Sequence, residues 1–158
     1  MLTAKKASFW RDRYEISADG GVVATWSGSF WRQGGDFALG GRGYRVRSSV
    51  WGRSFHMTDA DGRTVAEASK VGRKRWTVEA DGRVYQFRRT SFWSGDQELH
   101  DDAGRRGVIR RTGFWRTGVE ADLPGLEPAL QVFVLGVVIT MWNAEQAAAA
   151  GASGGAGG

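Results

Sequence analysis

The strongest constraint on this chain is its self-similarity at a period of about 21 residues. Ser8-Phe9-Trp10-Arg11 recurs as Ser29-Phe30-Trp31-Arg32, as Ser91-Phe92-Trp93 and as Gly113-Phe114-Trp115-Arg116. Ser49-Val50-Trp51-Gly52-Arg53 is a weaker copy, and Lys70-Val71-Gly72-Arg73 a degenerate one. With Gly72 standing where a Trp is missing, the series runs 10, 31, 51, 72, 93, 115, in steps of 21, 20, 21, 21 and 22. A fixed period of this size means one supersecondary unit used over and over, here six times.

Turn signals near the middle of the units say what the unit is. Ala18-Asp19-Gly20, Gly40-Gly41-Arg42-Gly43, Asp59-Ala60-Asp61-Gly62, Ala80-Asp81-Gly82 and Asp101-Asp102-Ala103-Gly104 each follow a Trp position. Asp-Gly between β-rich flanks marks a hairpin, because the turn needs positive φ. The flanks read as strands over Arg13–Ser17, Val22–Ser27, Tyr44–Ser48, Ser54–Thr58, Thr64–Ala68, Arg75–Glu79, Arg83–Arg88 and Val108–Thr112. Trp76, Val78, Tyr85 and Phe87 alternate with polar neighbours, the pattern of a strand wet on one face. Six hairpin-length units predict about twelve short antiparallel strands, too many for one open twisted sheet.

The last unit instead runs through Asp122-Leu123-Pro124-Gly125 into an apolar stretch, Ala129–Trp142. As a helix, these fourteen residues span about 21 Å, against roughly 30 Å of bilayer hydrocarbon. Glu127 and Pro128 bound the stretch on one side, Asn143 and Glu145 on the other. A helix apolar all round must be enclosed by protein, and a barrel of more than eight strands has room for one. The expected fold is therefore mostly β: a closed antiparallel barrel of about 12 short strands around a buried C-terminal helix at about 126–143. One domain over 1–143 and a flexible Ala/Gly-rich tail over 144–158 complete it. The first ten residues hold two Lys and no apolar stretch, and do not read as a secretory signal.

Paired-strand units with Asp-Gly turns, and Leu123-Pro124-Gly125 leading into Leu130–Trp142, resemble the tubby C-terminal-like fold, over residues 1–143. Small bacterial members related to the plant LURP-one proteins are nearest in size. The resemblance rests on architecture and order of elements, and implies a non-enzymatic module able to bind phosphoinositide headgroups through basic side chains on the barrel. The phospholipid scramblases share that fold, but the cysteine-rich palmitoylation segment of that group is absent here.

Composition narrows the chemistry. There are no cysteines and only two histidines, His56 and His100, without partner spacing for a metal or a triad. Asp59-Ala60-Asp61-Gly62 resembles a calcium loop, but Met57 and Ala68 occupy its first and last ligand positions, so it reads as a hairpin turn. Gly40-Gly41-Arg42-Gly43 precedes no helix that could hold phosphate. The carboxylates fall mostly at turns, with no spacing that argues a catalytic pair. No enzymatic activity and no cofactor are expected.

The 22 basic residues, 18 of them Arg, outnumber 17 acidic ones. All 22 lie within residues 1–120 beside 14 acidic residues, a balance of +8 on the barrel. The densest cluster is Arg73, Lys74 and Arg75, set across the Asp81-Gly82 hairpin from Arg88 and Arg89. Like charges facing each other in a sheet are destabilising, and an anion between them would explain their presence. A solvated Arg-rich face is the alternative. Arg45, Arg47, Arg105, Arg106, Arg110 and Arg111 are weaker candidates.

Units of two strands return the chain to the same end, which gathers Trp10, Trp31, Trp51, Trp93 and Trp115 at one rim. Such a rim could sit at a membrane interface, or it could plug the barrel end. The expected partner is an anionic membrane surface or a phosphorylated ligand, met by a monomeric cytoplasmic protein peripheral to the membrane. Nucleic-acid binding through Trp and Arg, or anchoring by the C-terminal helix, are the alternatives.

Overall fold

A computed structural model of the chain describes residues 1–8, 13–27, 35–49, 51, 53–91, 94–112 and 118–154. Twelve strands precede one helix: β1 (Leu2–Ser8), β2 (Arg13–Ala18), β3 (Gly21–Ser27), β4 (Gly35–Leu39), β5 (Arg42–Ser48), β6 (Phe55–Asp59), β7 (Thr64–Ser69), β8 (Arg75–Ala80), β9 (Arg83–Arg89), β10 (Gln97–Asp101), β11 (Gly104–Thr112), β12 (Gly118–Asp122) and α1 (Pro128–Gly154). The strands form one antiparallel sheet in the order β3-β2-β1-β12-β11-β10-β9-β8-β7-β6-β5-β4. Ladder neighbours are neighbours in sequence except where β1 pairs β12, with Leu2 opposite Ala121. The edge strands β3 and β4 lie side by side, so the sheet is a nearly closed barrel. The expected architecture of twelve strands and a C-terminal helix is the observed one.

Alternation drives the strands. Along β8, Trp76, Val78 and Ala80 are buried while Arg75 and Glu79 face solvent. Asp81 and Gly82 both hold positive φ, 50° and 72°, which gives the two-residue turn whose twist suits a hairpin. Register shifts at Lys6/Ser8, Ile16/Ser17, Met57/Thr58 and Leu99/His100 supply the bends that curl a sheet into a barrel.

The interior is filled by α1. Val132, Phe133, Val134, Leu135, Val137 and Val138 have no exposed surface. This β-branched run is helical despite its propensity because inside the barrel it meets the side chains of the wall and no strand to pair with. Only a helix satisfies its own backbone groups inside such an enclosure. Pro128, at the first helical position, has no N–H to satisfy, and the Gln131 side chain donates to the Leu126 carbonyl at 2.8 Å. Gly107 on β11 lets the approach to the helix pass close: a Cβ there would stand 2.4 Å from the Asp122 carbonyl oxygen.

The helix is longer than its apolar run. Its 27 residues extend about 40 Å, whereas strands of five to nine residues extend about 17–30 Å. Residues 144–154, expected as a flexible tail, continue the helix. Alanine is the best helix former, and a helix already nucleated inside the barrel propagates at little cost. From Asn143 to Ala152 every residue is exposed.

Chain direction gives the barrel two distinct ends. The connections after β2, β4, β6, β8, β10 and β12 fall at the end where α1 enters, the turn end. Those after the odd-numbered strands belong to the end where α1 leaves, the exit end.

Candidate anion-binding site

The two ends differ in charge. Among the described residues, the exit-end connections carry Arg53, Lys70, Arg73 and Lys74 against Asp96, and the turn-end connections carry Asp19, Asp61, Asp81, Asp102 and Glu127 against Arg63. The described connections are thus net positive at the exit end and net negative at the turn end.

Within the exit end, the β7–β8 connection is held from several sides. Val71 donates its N–H to the Arg53 carbonyl on the neighbouring connection at 3.0 Å, and is itself buried. Arg73 donates its N–H to the Lys70 carbonyl at 3.2 Å. Lys70 sits at φ 60°, an uncommon conformation for a lysine. Arg89 donates its backbone N–H to the Lys74 carbonyl at 2.9 Å, so Lys74 lies opposite Arg89. One residue on, Arg75 is the direct partner of Arg88.

Arg75 and Arg88 both face solvent, as do Arg73 and Lys74, and none of the four makes an ion pair. Some other arginines of the barrel are paired, Arg45 with Asp36, Arg105 with Glu98, Arg106 with Asp101 and Arg110 with Glu120, whereas Arg42, Arg47, Arg63 and Arg83 make no ion pair but do not cluster. Four cations without an ion pair therefore lie together, Arg73 and Lys74 on the connection and Arg75 and Arg88 at the adjoining strand ends, with Glu98 opposite Arg88 engaged by His100 and Arg105.

Arg89 is not part of it. It follows Arg88 on the strand and so points inward, opposite the buried Gln97, and its guanidinium pairs with Glu145 of α1. Its side chain is 17% exposed, and its Nε is buried without a partner. The guanidinium of Arg111, also at the helix exit, stacks over the Trp142 ring at 4.6 Å. These two arginines fasten the helix to the barrel.

The exit is sealed by a polar chain that sequence reasoning missed. The Trp142 indole N–H donates to the Gly95 carbonyl at 2.9 Å, and the Gln97 amide donates to the same oxygen at 2.9 Å. The Gln97 carbonyl oxygen in turn accepts from the Trp76 indole at 3.0 Å. Gln97, in a strand too polar to stand out in the sequence, has no exposed surface.

Of the five rim tryptophans, Trp10, Trp31, Trp93 and Trp115 lie outside the described residues. Trp51 is 84% exposed, so it does not plug the barrel end. Its turn is fixed from beneath: Ser49 donates its N–H to the Ser54 carbonyl at 2.9 Å, and the Ser49 hydroxyl accepts from the N–H groups of Arg53 and Ser54 at 3.3 Å.

A cavity of about 760 Å³ opens at the other end, lined among others by Tyr44, Tyr85, Arg42, Arg83, Asp59, Asp61, Asp81 and Glu127. Four carboxylates against two guanidiniums make it a poor receptacle for an anion. Among the described residues no three His, Asp or Glu side chains are placed to hold a metal ion. His100 pairs with Glu98 at 2.8 Å. Burial would raise the Glu98 carboxyl, but hydrogen bonds from His100 and Arg105 outweigh it and hold the group below its ordinary value of 4.5.

No family model matches this chain, and neither does any curated protein or solved structure.

Proposed function

We propose that this protein is a non-enzymatic binding module that docks on phosphate-bearing anions, phospholipid headgroups among them, through Arg73, Lys74, Arg75 and Arg88. The observation that carries the reading is the direct cross-strand pairing of Arg75 with Arg88, while Glu98, opposite Arg88 on the other ladder, is paired with His100 and Arg105. Like charges in that position cost stability in the free protein, and a bound phosphate removes the cost while accepting bidentate hydrogen bonds from guanidinium.

Membership of the tubby-like superfamily is part of the same proposal. The twelve-stranded barrel around a C-terminal helix is the fold that resemblance implied. A cytoplasmic location, peripheral to the membrane, accords with an acidic turn end facing away from an anionic surface and a basic exit end facing it. Anchoring by α1 is the less favoured alternative: the helix has the length and apolar character to cross a bilayer, but its apolar stretch is enclosed by the barrel.

The test is binding to inositol hexakisphosphate, by calorimetry, and to vesicles of phosphatidylserine and phosphatidylcholine, by sedimentation, at low and high salt. Salt-sensitive binding to either, lost when Arg73, Lys74 and Arg75 are all replaced by Gln, supports the site. A triple variant that binds as wild type does, or a wild type that binds neither, refutes it.

A further inference from the structure

Trp51 has no role in the fold, and its setting gives it one in binding. Among the described residues it is the most exposed large apolar side chain, at 84% against 65% for Met1, 59% for Val22 and 56% for Val84. A tryptophan left in water is unfavourable by most of its ring area, so an exposed ring suits a second surface. The turn does not simply trail into solvent. Ser49 braces it with three hydrogen bonds, one from its N–H and two to its hydroxyl. The carbonyl of Arg53 then accepts the N–H of Val71 in the connection that carries Arg73 and Lys74. Backbone hydrogen bonds thus join the exposed indole and the unpaired cations into one surface.

We infer that this surface recognises a lipid bilayer, with Trp51 as an interfacial anchor whose ring enters the headgroup and acyl boundary while the neighbouring cations hold lipid phosphates. The inference rests on the proposed anion site and specifies its partner. A soluble phosphate would use the guanidiniums and leave the indole wet; an anionic membrane uses both. Indole is suited to that boundary, its ring meeting the acyl region and its N–H the polar layer. A single apolar insertion gives weak, reversible attachment, and added basic charge makes it stable, so neither half of this surface suffices alone.

The absence of cysteine makes the test clean. Trp51→Cys carries an environment-sensitive fluorophore at the tip, and Asp61→Cys carries the same label at the turn end. With phosphatidylserine–phosphatidylcholine vesicles, the label at 51 should shift to the blue and be quenched by lipid-borne quenchers, while the label at 61 should stay unchanged. Unlabelled Trp51→Ala should partition about tenfold more weakly to these vesicles, the consequence of losing the burial of roughly a quarter of the ring, and should bind inositol hexakisphosphate as wild type does.

Labelled protein that sediments with vesicles while its label at 51 stays wet overturns the inference and leaves the anion site standing. Trp51→Ala partitioning as tightly as wild type does the same. Binding of the hexakisphosphate without any vesicle binding also overturns the inference alone. Binding of neither overturns both.

Discussion

Replacing Gln97 by Leu asks whether the polar chain at the helix exit holds the barrel and its helix together. Leucine has nearly the volume of glutamine, so the change opens no large space. It removes the acceptor of the Trp76 indole, whose ring has no exposed surface and no route to water. It also removes one of two donors to the Gly95 carbonyl, but that oxygen keeps the Trp142 indole at 2.9 Å. The cost is therefore that of one orphaned buried donor, about 1–3 kcal/mol. For a chain of 158 residues, a loss of about 2 kcal/mol lowers the melting temperature by about 4–8 °C. Thermal and urea unfolding followed by circular dichroism read it directly. A double-mutant cycle with Trp76→Phe isolates the bond from the packing change, because the smaller ring leaves the same space in both backgrounds. A Gln97→Leu melting temperature within a degree of wild type, or a coupling with Trp76 near zero, would refute the reasoning.

Two further outcomes follow from charges on the barrel wall. Arg75→Glu should raise stability by about 0.2–1 kcal/mol, since it turns a repulsive cross-strand pair with Arg88 into an attractive one, and should abolish vesicle binding; a melting temperature that falls refutes the account of the pair. Glu98, held below its ordinary value by His100 and Arg105, favours the folded state above pH 4.5, and this contribution is lost as pH falls through the depressed folded value. Glu98→Gln should therefore be less stable than wild type at neutral pH, with the difference closing in acid; an equal difference at pH 7 and pH 3 would sink that assignment.

What the sequence made legible was whatever repeated or alternated. Asp-Gly turns and the strands flanking them were readable because turn geometry demands particular residues and a half-buried strand demands period two. The strands that escaped individual notice, β1, β4, β10 and β12, are short or polar. β4 reads Gly-Asp-Phe-Ala-Leu and β10 reads Gln-Glu-Leu-His-Asp. β10 is a strand because its neighbours β9 and β11 offer ladders on both sides, a tertiary cause that no local pattern announces. The facing of the basic cluster was legible to within a residue. Which of its members pointed outward was not, because that depends on the pleat: Arg88 and Arg89 are adjacent in sequence and lie on opposite faces of one strand.

That one-residue difference explains how a single arginine-rich segment serves two ends. The inward Arg89 meets Glu145 and fixes where the helix emerges; the outward Arg88 stands between Arg75 on β8 and Glu98 on β10 and makes no ion pair with either. Had the fold alone been at stake, an acidic residue at 75 would have been the more stable choice, like Glu120 opposite Arg110 on the same barrel. The degenerate copy of the repeat points the same way. Where four other units carry Phe-Trp, this one carries Val71-Gly72, with Val71 buried and Arg73 and Lys74 following it outward. The unit that has lost its tryptophan is the one that has concentrated charge, and the unit beside it, joined to it through Arg53 and Val71, holds an exposed ring. Adjacent copies of one hairpin have thus diverged into the cationic and the apolar halves of one surface.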